Sequence, residues 1–542
     1  MTIAQKGHTL LTEAHSRTSK FSPGQSAQRR NAPSRSRSRG NRPLRVMKFG
    51  GTSVGDASAI RRVLEIIQGA ARESDLVVVV SAMAGVTNQL AAAASRAEAG
   101  NREAVATIFA QLRHQHGGAA SALVRSAAER SRMGRALQEW LQLGERLCQD
   151  AILRRQLTPG TRDSITGLGE RLSVLLVAAA LADSGMSCTA IEATELVVTN
   201  ACHGSADPVM ELTRARSEAR LRPLLQQGVT PVVTGFIGAT PDGILTTLGR
   251  GGSDYSATIL GAALEADEVI IWTDVDGLHT ADPRQVPEAR TIPHISYREA
   301  AELAYFGAKV LHPKTLRPVL QRGIPLWIRN TFAPDQLGTK ITPAGPPAVA
   351  GVKALTASSD VAMIALGGSA VAGAPDIAGR AARATASVRA DLLLFAQASS
   401  QNHLCLVISS ALARPTLEAL RREFAHELAQ PAAELFRIDD AVAMVTLVGQ
   451  NMSSIPGIAG RTLGAMAREN VNILAIAPSA SEGTISFVVA KPAMQVALSA
   501  IHREFRLGSP LHGDLNRDLA SGENCYPHRK AFPASQIPGP GD

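Results

Sequence analysis

The sequence predicts an α/β protein: a three-layer sandwich around a mostly parallel central sheet, followed by two small α+β modules. Three observations predict it. Short β-branched runs without polar alternation recur between stretches of helical periodicity, as in a sheet covered on both faces. Two Gly-rich turns, around Gly50-Gly51 and around Gly249–Gly252, each carry a neighbouring cation. Two segments in the C-terminal third repeat one another at a constant offset of 81 residues.

Composition narrows the class. A chain of 542 residues has room for roughly three or four domains. Its 45% apolar and 19% charged content is ordinary for a globular protein. The longest apolar run, 174–182, is too short to span a bilayer. The net charge of +9 is local: residues 1–45 hold ten Lys/Arg and one acid, Glu13, while the remainder holds 46 of each sign. The surplus belongs to the tail, so no nucleic-acid or membrane partner is expected. The five cysteines (148, 188, 202, 405 and 525) form no CxxC pair. That fits a reducing compartment, with neither a zinc site nor a disulfide framework.

Taken in order, residues 1–45 are rich in Ser, Arg, Gln and Pro, with SRSRSRG at 34–40, and read as a disordered basic tail. They lack a secretory h-region but resemble an acid-poor organellar transit peptide; Met47 is an alternative start. Residues 46–49 form a strand that opens into Gly50, Gly51, Thr52 and Ser53. The glycines permit close approach to the main chain, and the two hydroxyl residues suit a helix cap. With Lys48 beside it, the turn suits a phosphate. It is not a Walker A loop, and an ordinary strand-to-helix connection fits the same residues.

Ile60, Val63, Leu64 and Ile67 then recur at helical spacing. Residues 76–80 read as a buried strand, followed by the small and hydroxyl residues of SAMAGVTNQL (81–90). Residues 101–156 read as helices with a charged face, an excursion from the sheet. Residues 164–166 read as a strand before GLGERLS (167–173) and a long apolar helix. Further strands fall at 188–192 and 231–234. Asp242-Gly243 marks a hairpin turn. The stretch 249–254 opens a helix that runs to about Leu264. Residues 269–272 form the next strand, ending at Thr273-Asp274. Ligands in open α/β sheets bind beyond the carboxyl ends of strands, where Lys48, Arg250, Thr273 and Asp274 would gather. FGAKVLHP (306–313) and IPLWIRN (324–330) continue the alternation, and the domain is predicted to end at 345.

Val361-Ala-Met363 recurs as Val442-Ala-Met444, and Ile377-Ala-Gly-Arg380 as Ile458-Ala-Gly-Arg461. Each copy reads strand, loop, helix, strand, turn, strand. The predicted modules cover 346–430 and 431–507, followed by a disordered tail at 508–542.

Two glycine turns with cations suit phosphoryl transfer, in which positioning and charge neutralisation do most of the catalytic work. A carboxylate acceptor is ionised at neutral pH and needs no base. Asp254 then suits the orienting of a lysine, and equally a plain N-cap. Arg250 is planar and bidentate, suited to a substrate carboxylate or to a surface ion pair.

KFGGTSV (48–54), VVSAMAGVTNQL (79–90), GERLS (169–173), GFIG (235–238), TTLGRGGSDYSA (246–257), WTDVDGLHTADPR (272–284) and FGAKVLHP (306–313) together resemble the aspartate kinases, in that family's order. The repeated modules resemble its tandem ACT domains. The resemblance implies an amino-acid-kinase fold and the reaction of ATP with L-aspartate to give 4-phospho-L-aspartate and ADP. This is the first step toward lysine, threonine and methionine. It implies Lys48 and Asp254 as catalytic, and Ser81, Thr87, Glu170, Phe236, Arg250 and Ser253 as the substrate pocket. Glu170 suits the α-ammonium and Arg250 the α-carboxylate. Lys48, Gly50, Gly51, Thr52, Ser53, Thr273, Asp274, His279, Asp282, Arg284 and Lys309 fall on the nucleotide side. Mg²⁺ is implied with ATP rather than in a protein cage. A homodimer or higher homo-oligomer, amino-acid feedback by lysine or threonine, and a cytoplasmic location (plastid if the arm is a transit peptide) complete the implication.

Singly, these residues have plainer readings. Ser81 and Thr87 fit turn and cap residues, Phe236 fits core, Glu170 a first-turn helix acid and Lys309 a solvated helix face. The sequence also departs from the family pattern. His279 stands where the family has Tyr. QASSQ (397–401) resembles the effector segment of threonine-responsive relatives, which points to Gln397, but the repeat sets Pro478 where those relatives carry a second Gln. About 35 residues follow Leu507, too few for the homoserine dehydrogenase fused to some relatives. The alternatives are an inactive ACT-type amino-acid sensor, or a kinase for another acidic amino acid.

Overall fold

The computed structural model describes residues 42–307, 310–345, 351–367, 376–397, 403–428, 436–478 and 483–509. Its first sheet has eight strands. They are β1 (Leu44–Phe49), β2 (Asp75–Val80), β3 (Cys188–Ile191), β4 (Thr230–Thr234), β7 (Glu268–Thr273), β8 (His294–Ser296), β9 (Leu326–Asn330) and β10 (Thr339–Thr342). The order is β3-β4-β2-β1-β7-β9-β10-β8, parallel throughout except where β10 meets β9. The short antiparallel hairpin of β5 (Ile237–Ala239) and β6 (Leu245–Thr247) turns at Asp242-Gly243 as predicted.

Side chains explain why this sheet needs helices on both faces. Along β1 and β2, Met47, Phe49, Val78 and Val80 enter one apolar cluster, and Val46, Val77 and Val79 enter another on the opposite face. Residues that alternate in direction are all apolar, so neither face can be left in water. The charged-face helices Arg102–Leu123 and Ala127–Arg154 extend the first cluster through Phe109, Leu112, Leu137 and Leu141.

Four expectations are corrected. Residues 164–166 are helical, within Pro159–Thr166. Thr158 caps that helix with Pro159 at its first position, and the hydroxyls of Ser164 and Thr166 donate back to the carbonyls of Gly160 and Arg162. Thr52 and Ser53 do not cap the first helix; Asp56 does, accepting from the Ala59 N–H at 2.9 Å. The folded part starts before residue 46. Arg42 donates to the carbonyls of Ala71 and Ser74, and the Leu44 N–H donates to Asp267 Oδ2 at 2.8 Å. The module boundary at 430/431 does not follow the sheets.

Two further four-stranded sheets hold β11 (Gly351–Ser358), β12 (Val361–Gly367), β13 (Leu394–Gln397), β14 (His403–Ser409), β15 (Phe436–Asp439), β16 (Val442–Gln450), β17 (Ile473–Pro478) and β18 (Thr484–Ala490). Their orders are β13-β14-β12-β15 and β11-β16-β18-β17. The strand ahead of the first module thus completes the second sheet, and the strand ahead of the second module completes the first. The first module therefore sits as an insertion within the second. The duplication extends to side chains. Arg380 pairs with Glu423 (3.1 Å) and lies over the Phe424 ring; Arg461 pairs with Glu504 (2.9 Å) and lies over Phe505, all at the same offset.

The second module is locked to the domain of the eight-stranded sheet. Lys353 sits at a bulge between Val352 and Ala354 in β11 and forms a buried ion pair with Glu299 at 2.8 Å. Glu299 also closes a capping box on Ser296. Thr280 Oγ1 lies 3.0 Å from His502 Nε2, and the Leu355 N–H donates to the Thr280 carbonyl. Ala281 and Val286 join the apolar core of this module.

Candidate active site

The site forms where β1, β2, β4 and β7 end. β1 is central, with β2 on one side and β7 on the other, so the segments that follow diverge and leave a crevice. Lys48, the next-to-last residue of β1, is 7% exposed and pairs with Asp254 Oδ1 at 2.5 Å. Asp254 is in the first turn of Gly252–Leu264, a helix capped by Gly251 and not by Asp254. Of the two roles open to that carboxylate from spacing alone, the pairing with lysine is the one the geometry provides. The Gly50 N–H donates to the Trp272 carbonyl at 3.0 Å, which folds the turn against β7. The Gly252 N–H donates to the Gly249 carbonyl at 2.9 Å, and the dipole of the buried helix Gly252–Leu264 adds positive potential at the same end.

Glu170 sits opposite, in the first turn of Leu168–Asp183. A Cβ on Gly169 would stand 2.6 Å from Ala82 Cβ, so only glycine lets this helix approach the loop after β2 so closely. The approach sets Glu170 Oε1 3.2 Å from the Ala82 N–H. Oε2 is buried without a hydrogen-bond partner among the described residues. Burial pushes the Glu170 carboxyl up to about 8, against the opposing pull of the Ala82 N–H and Lys48. A buried carboxylate with one bare oxygen is costly, and a bound ammonium group would relieve that cost.

The remaining pocket residues follow from the turns. Phe236 has φ of 66°, a left-handed conformation more usual for glycine, and its N–H donates to Ser256 Oγ. A Cβ on Gly252 would meet the Phe236 ring at 2.5 Å, so ring and helix start are in contact. Ser253 is buried beside Gly235. The Ser81 N–H donates to the Phe49 carbonyl, and Thr87 lies in the first turn of Val86–Glu98. Arg250 lies exposed between Gly249 (φ 82°) and Gly251 (φ 68°), and no carboxylate among the described residues pairs with it.

The nucleotide-side residues divide. Thr52 is exposed in the turn, but Ser53 faces inward, its hydroxyl 2.7 Å from Thr331 Oγ1. Thr273 and Asp274 sit at the end of β7 and bond to each other. His279 bridges to Thr291, and Asp282 pairs with Arg284 at 2.7 Å, which holds the Asp282 carboxyl below its ordinary value. These three lie on the segment packed against the second module. Lys309 lies outside the described residues. Gln397 is the exposed last residue of β13, in register with Leu404, and Pro478 ends β17 in the same way, in register with Ile485. The segment 398–402 lies outside the described residues.

Sequence reasoning missed two features. His312 caps Pro313–Arg322 beside Gly251; burial and the charges of Lys314 and Arg250 lower its pKa. The His-Pro dipeptide, a cap followed by the first helical residue, was the available signal. Asp163, a fully satisfied buried acid, left no signal in the local pattern.

Helices Pro159–Thr166 and Leu168–Asp183 together are apolar enough to cross a membrane, yet 78% of that window is buried inside the fold, where they carry Asp163 and Glu170.

A buried lysine–aspartate pair, a buried glutamate with one bare oxygen and two glycine turns, set on a mostly parallel sheet, are the features of the amino acid kinase class. The chain belongs to the amino acid kinase family, whose model matches residues 43–330; residues 445–505 match an ACT domain. Within that family it groups with the aspartokinases. It is 34% identical over 470 residues to the chloroplastic bifunctional aspartokinase/homoserine dehydrogenase 1 of Arabidopsis thaliana, a match covering 85% of this chain and 51% of the relative. The chain thus spans about half the length of the bifunctional curated relatives it matches. It is 31% identical to the chloroplastic aspartokinase 3 of Arabidopsis thaliana, covering 81% of that protein. E. coli aspartokinase III, solved in complex with aspartate and ADP, superimposes with a TM-score of 0.72 at 28% identity, over 85% of this chain and 100% of that one. The same E. coli protein solved with lysine and aspartate gives 0.69 at 27% identity.

Proposed function

We propose that this chain is an aspartate kinase that transfers the γ-phosphoryl group of ATP to the β-carboxylate of L-aspartate. The observation that carries the reading is the buried, unpartnered Oε2 of Glu170 beside the Lys48–Asp254 pair. Glu170 takes the substrate ammonium and the unpaired Arg250 takes the α-carboxylate. The β-carboxylate is then left facing the phosphoryl group. Its ionised oxygen attacks the γ-phosphorus while the bond to the β,γ-bridging oxygen breaks, and ADP leaves. No proton needs removing. Lys48 neutralises charge on the moving group, and Asp254 fixes the lysine's position.

Mg²⁺ supplies further charge neutralisation when bound. In this reading the ion is carried in on the triphosphate and not held in a protein cage. The duplicated modules support an amino-acid effector site near Gln397, with lysine or threonine as the ligand, and a homo-oligomer built through the modules. E. coli aspartokinase III has been solved with lysine, which supports the first of these. The location is cytoplasmic or, given the chloroplastic relatives, plastid.

ADP release coupled to NADH oxidation tests the reading. Release should require L-aspartate and vanish in Lys48→Ala. ADP release without aspartate, or with glutamate alone, would refute it.

A further inference from the structure

Asp163 is a buried acid whose carboxylate is fully engaged with backbone and side chains that carry no substrate role. It is 3% exposed, on helix Pro159–Thr166. Oδ2 accepts from His203 Nδ1 at 2.8 Å, from the Gly204 N–H at 3.1 Å and from the Thr247 N–H at 3.2 Å. Oδ1 accepts from the Thr247 hydroxyl at 2.7 Å. One carboxylate therefore ties together three separate pieces of chain: its own helix, the loop 200–207, and the end of β6.

What those pieces do locates its purpose. Thr247 ends β6, three residues before Arg250. The loop 200–207 is the wall behind that arginine's turn: a Cβ on Gly249 would stand 3.0 Å from the Gly204 carbonyl and 3.3 Å from Ser205 Cα. The Ala206 N–H returns the contact by donating to the Thr247 carbonyl at 2.9 Å. The loop is shaped internally by Asn200, whose side-chain oxygen accepts from Cys202 and Asp207 N–H groups. Lys314 holds its far side through Ser205 at 3.0 Å and Asp207 at 3.5 Å. Arg250 itself has no ion-pair partner among the described residues to hold it, and its two flanking glycines are both in left-handed conformations. Its direction is therefore set by where β6 ends and by the wall it turns against.

We propose that Asp163 is a positioning residue for substrate binding: it fixes the β6 end and the 200–207 wall so that Arg250 presents its guanidinium to the α-carboxylate of the amino-acid substrate. This rests on the aspartate-kinase reading above. Asp163 touches neither Lys48 nor the β7 end, so its effect is confined to the amino-acid side. A carboxylate accepting four hydrogen bonds cannot be replaced by an amide, which brings two donors to a place that needs acceptors.

The test is steady-state kinetics of wild type, Asp163→Asn, Arg250→Lys and the double variant, with both substrates varied. Asp163→Asn should raise the aspartate KM about tenfold, as loss of a charged acceptor implies, and leave the ATP KM within about twofold. In the Arg250→Lys background the same change should raise it less than about twofold, because the group it aims is already gone. Thr247→Val, which removes only the hydroxyl donor, should give a smaller rise in the same parameter and keeps the test available if Asp163→Asn folds poorly. An aspartate KM unchanged in Asp163→Asn and Thr247→Val overturns the proposal. So does an equal rise in both KM values, or a full tenfold effect on top of Arg250→Lys. Wild-type protein that phosphorylates no aspartate would instead overturn the functional reading, a separate outcome of the same assay.

Discussion

Replacing Glu170 by Gln removes a charge that the empty pocket cannot accommodate. Glu170 titrates near 8 in the folded chain against an ordinary 4.5, because burial disfavours the anion. A raised carboxyl pKa means the folded state holds the proton more tightly than the unfolded state. The cost is absent below pH 4.5, grows between 4.5 and 8, and is complete above about 8. At about 1.4 kcal/mol per pH unit, the full cost is on the order of 5 kcal/mol. Glutamine keeps the shape and still accepts the Ala82 N–H, but does not titrate. Ligand-free Glu170→Gln should therefore melt near wild type at pH 5 and several degrees above it at pH 8. The same variant should raise the aspartate KM by about a hundredfold or more with the ATP KM unchanged, since the substrate ammonium loses a buried charged acceptor. In wild type, kcat/KM for aspartate should climb between pH 6.5 and 8 as the carboxyl ionises. Thermal melts at three pH values and substrate titrations check all of this. A melting difference that does not widen with pH, or an unchanged aspartate KM, would refute the reasoning.

Three further outcomes follow from named contacts. Lys48→Ala should lower kcat by about a thousandfold with its circular dichroism intact, because one preorganised cation is lost from the transition state; near-normal kcat would remove the assigned role. Lys353→Met should destabilise the chain by about 3–5 kcal/mol in denaturant titration by leaving the buried Glu299 without its counter-charge, and Lys353→Met with Glu299→Gln should recover most of that. A loss under about 1 kcal/mol would show that the pair is not a clip between the domains. Deletion of residues 1–45 should lower the melting temperature relative to deletion of 1–41, since only the former removes Arg42 and the Leu44 N–H bond to Asp267; equal melting would contradict the role of those contacts.

The parallel sheet was legible because strands buried on both faces must be apolar at successive positions, and 76–80 is such a run. The turn at Asp242-Gly243 and the helix at 252 were legible because glycine and small polar residues leave few alternatives there. Lys48 pairs with Asp254 at the end of β1, and Glu170 lies within electrostatic reach of that lysine. What failed was non-local or finely balanced. The short β-branched stretch 164–166 gave no hint of the cap at Thr158 that draws it into a helix. Asp56, a better acceptor than Thr52 or Ser53, took the cap because the turn occupies the hydroxyl residues. The exchange of β11 and β15 between the two modules pairs segments about 70 to 100 residues apart, and local periodicity carries no such information. Asp163 reads as an ordinary helix acid until Thr247 and Gly204 are folded onto it.

The central claim is that the pocket formed by Glu170, Arg250 and the Lys48–Asp254 pair phosphorylates a carboxylate of aspartate. Trapping the acyl phosphate with hydroxylamine tests it most directly. Purified chain with MgATP should yield β-aspartyl hydroxamate from L-aspartate, and little or none from L-glutamate. Hydroxamate from glutamate but not aspartate, or none from either by a folded protein, would contradict the account.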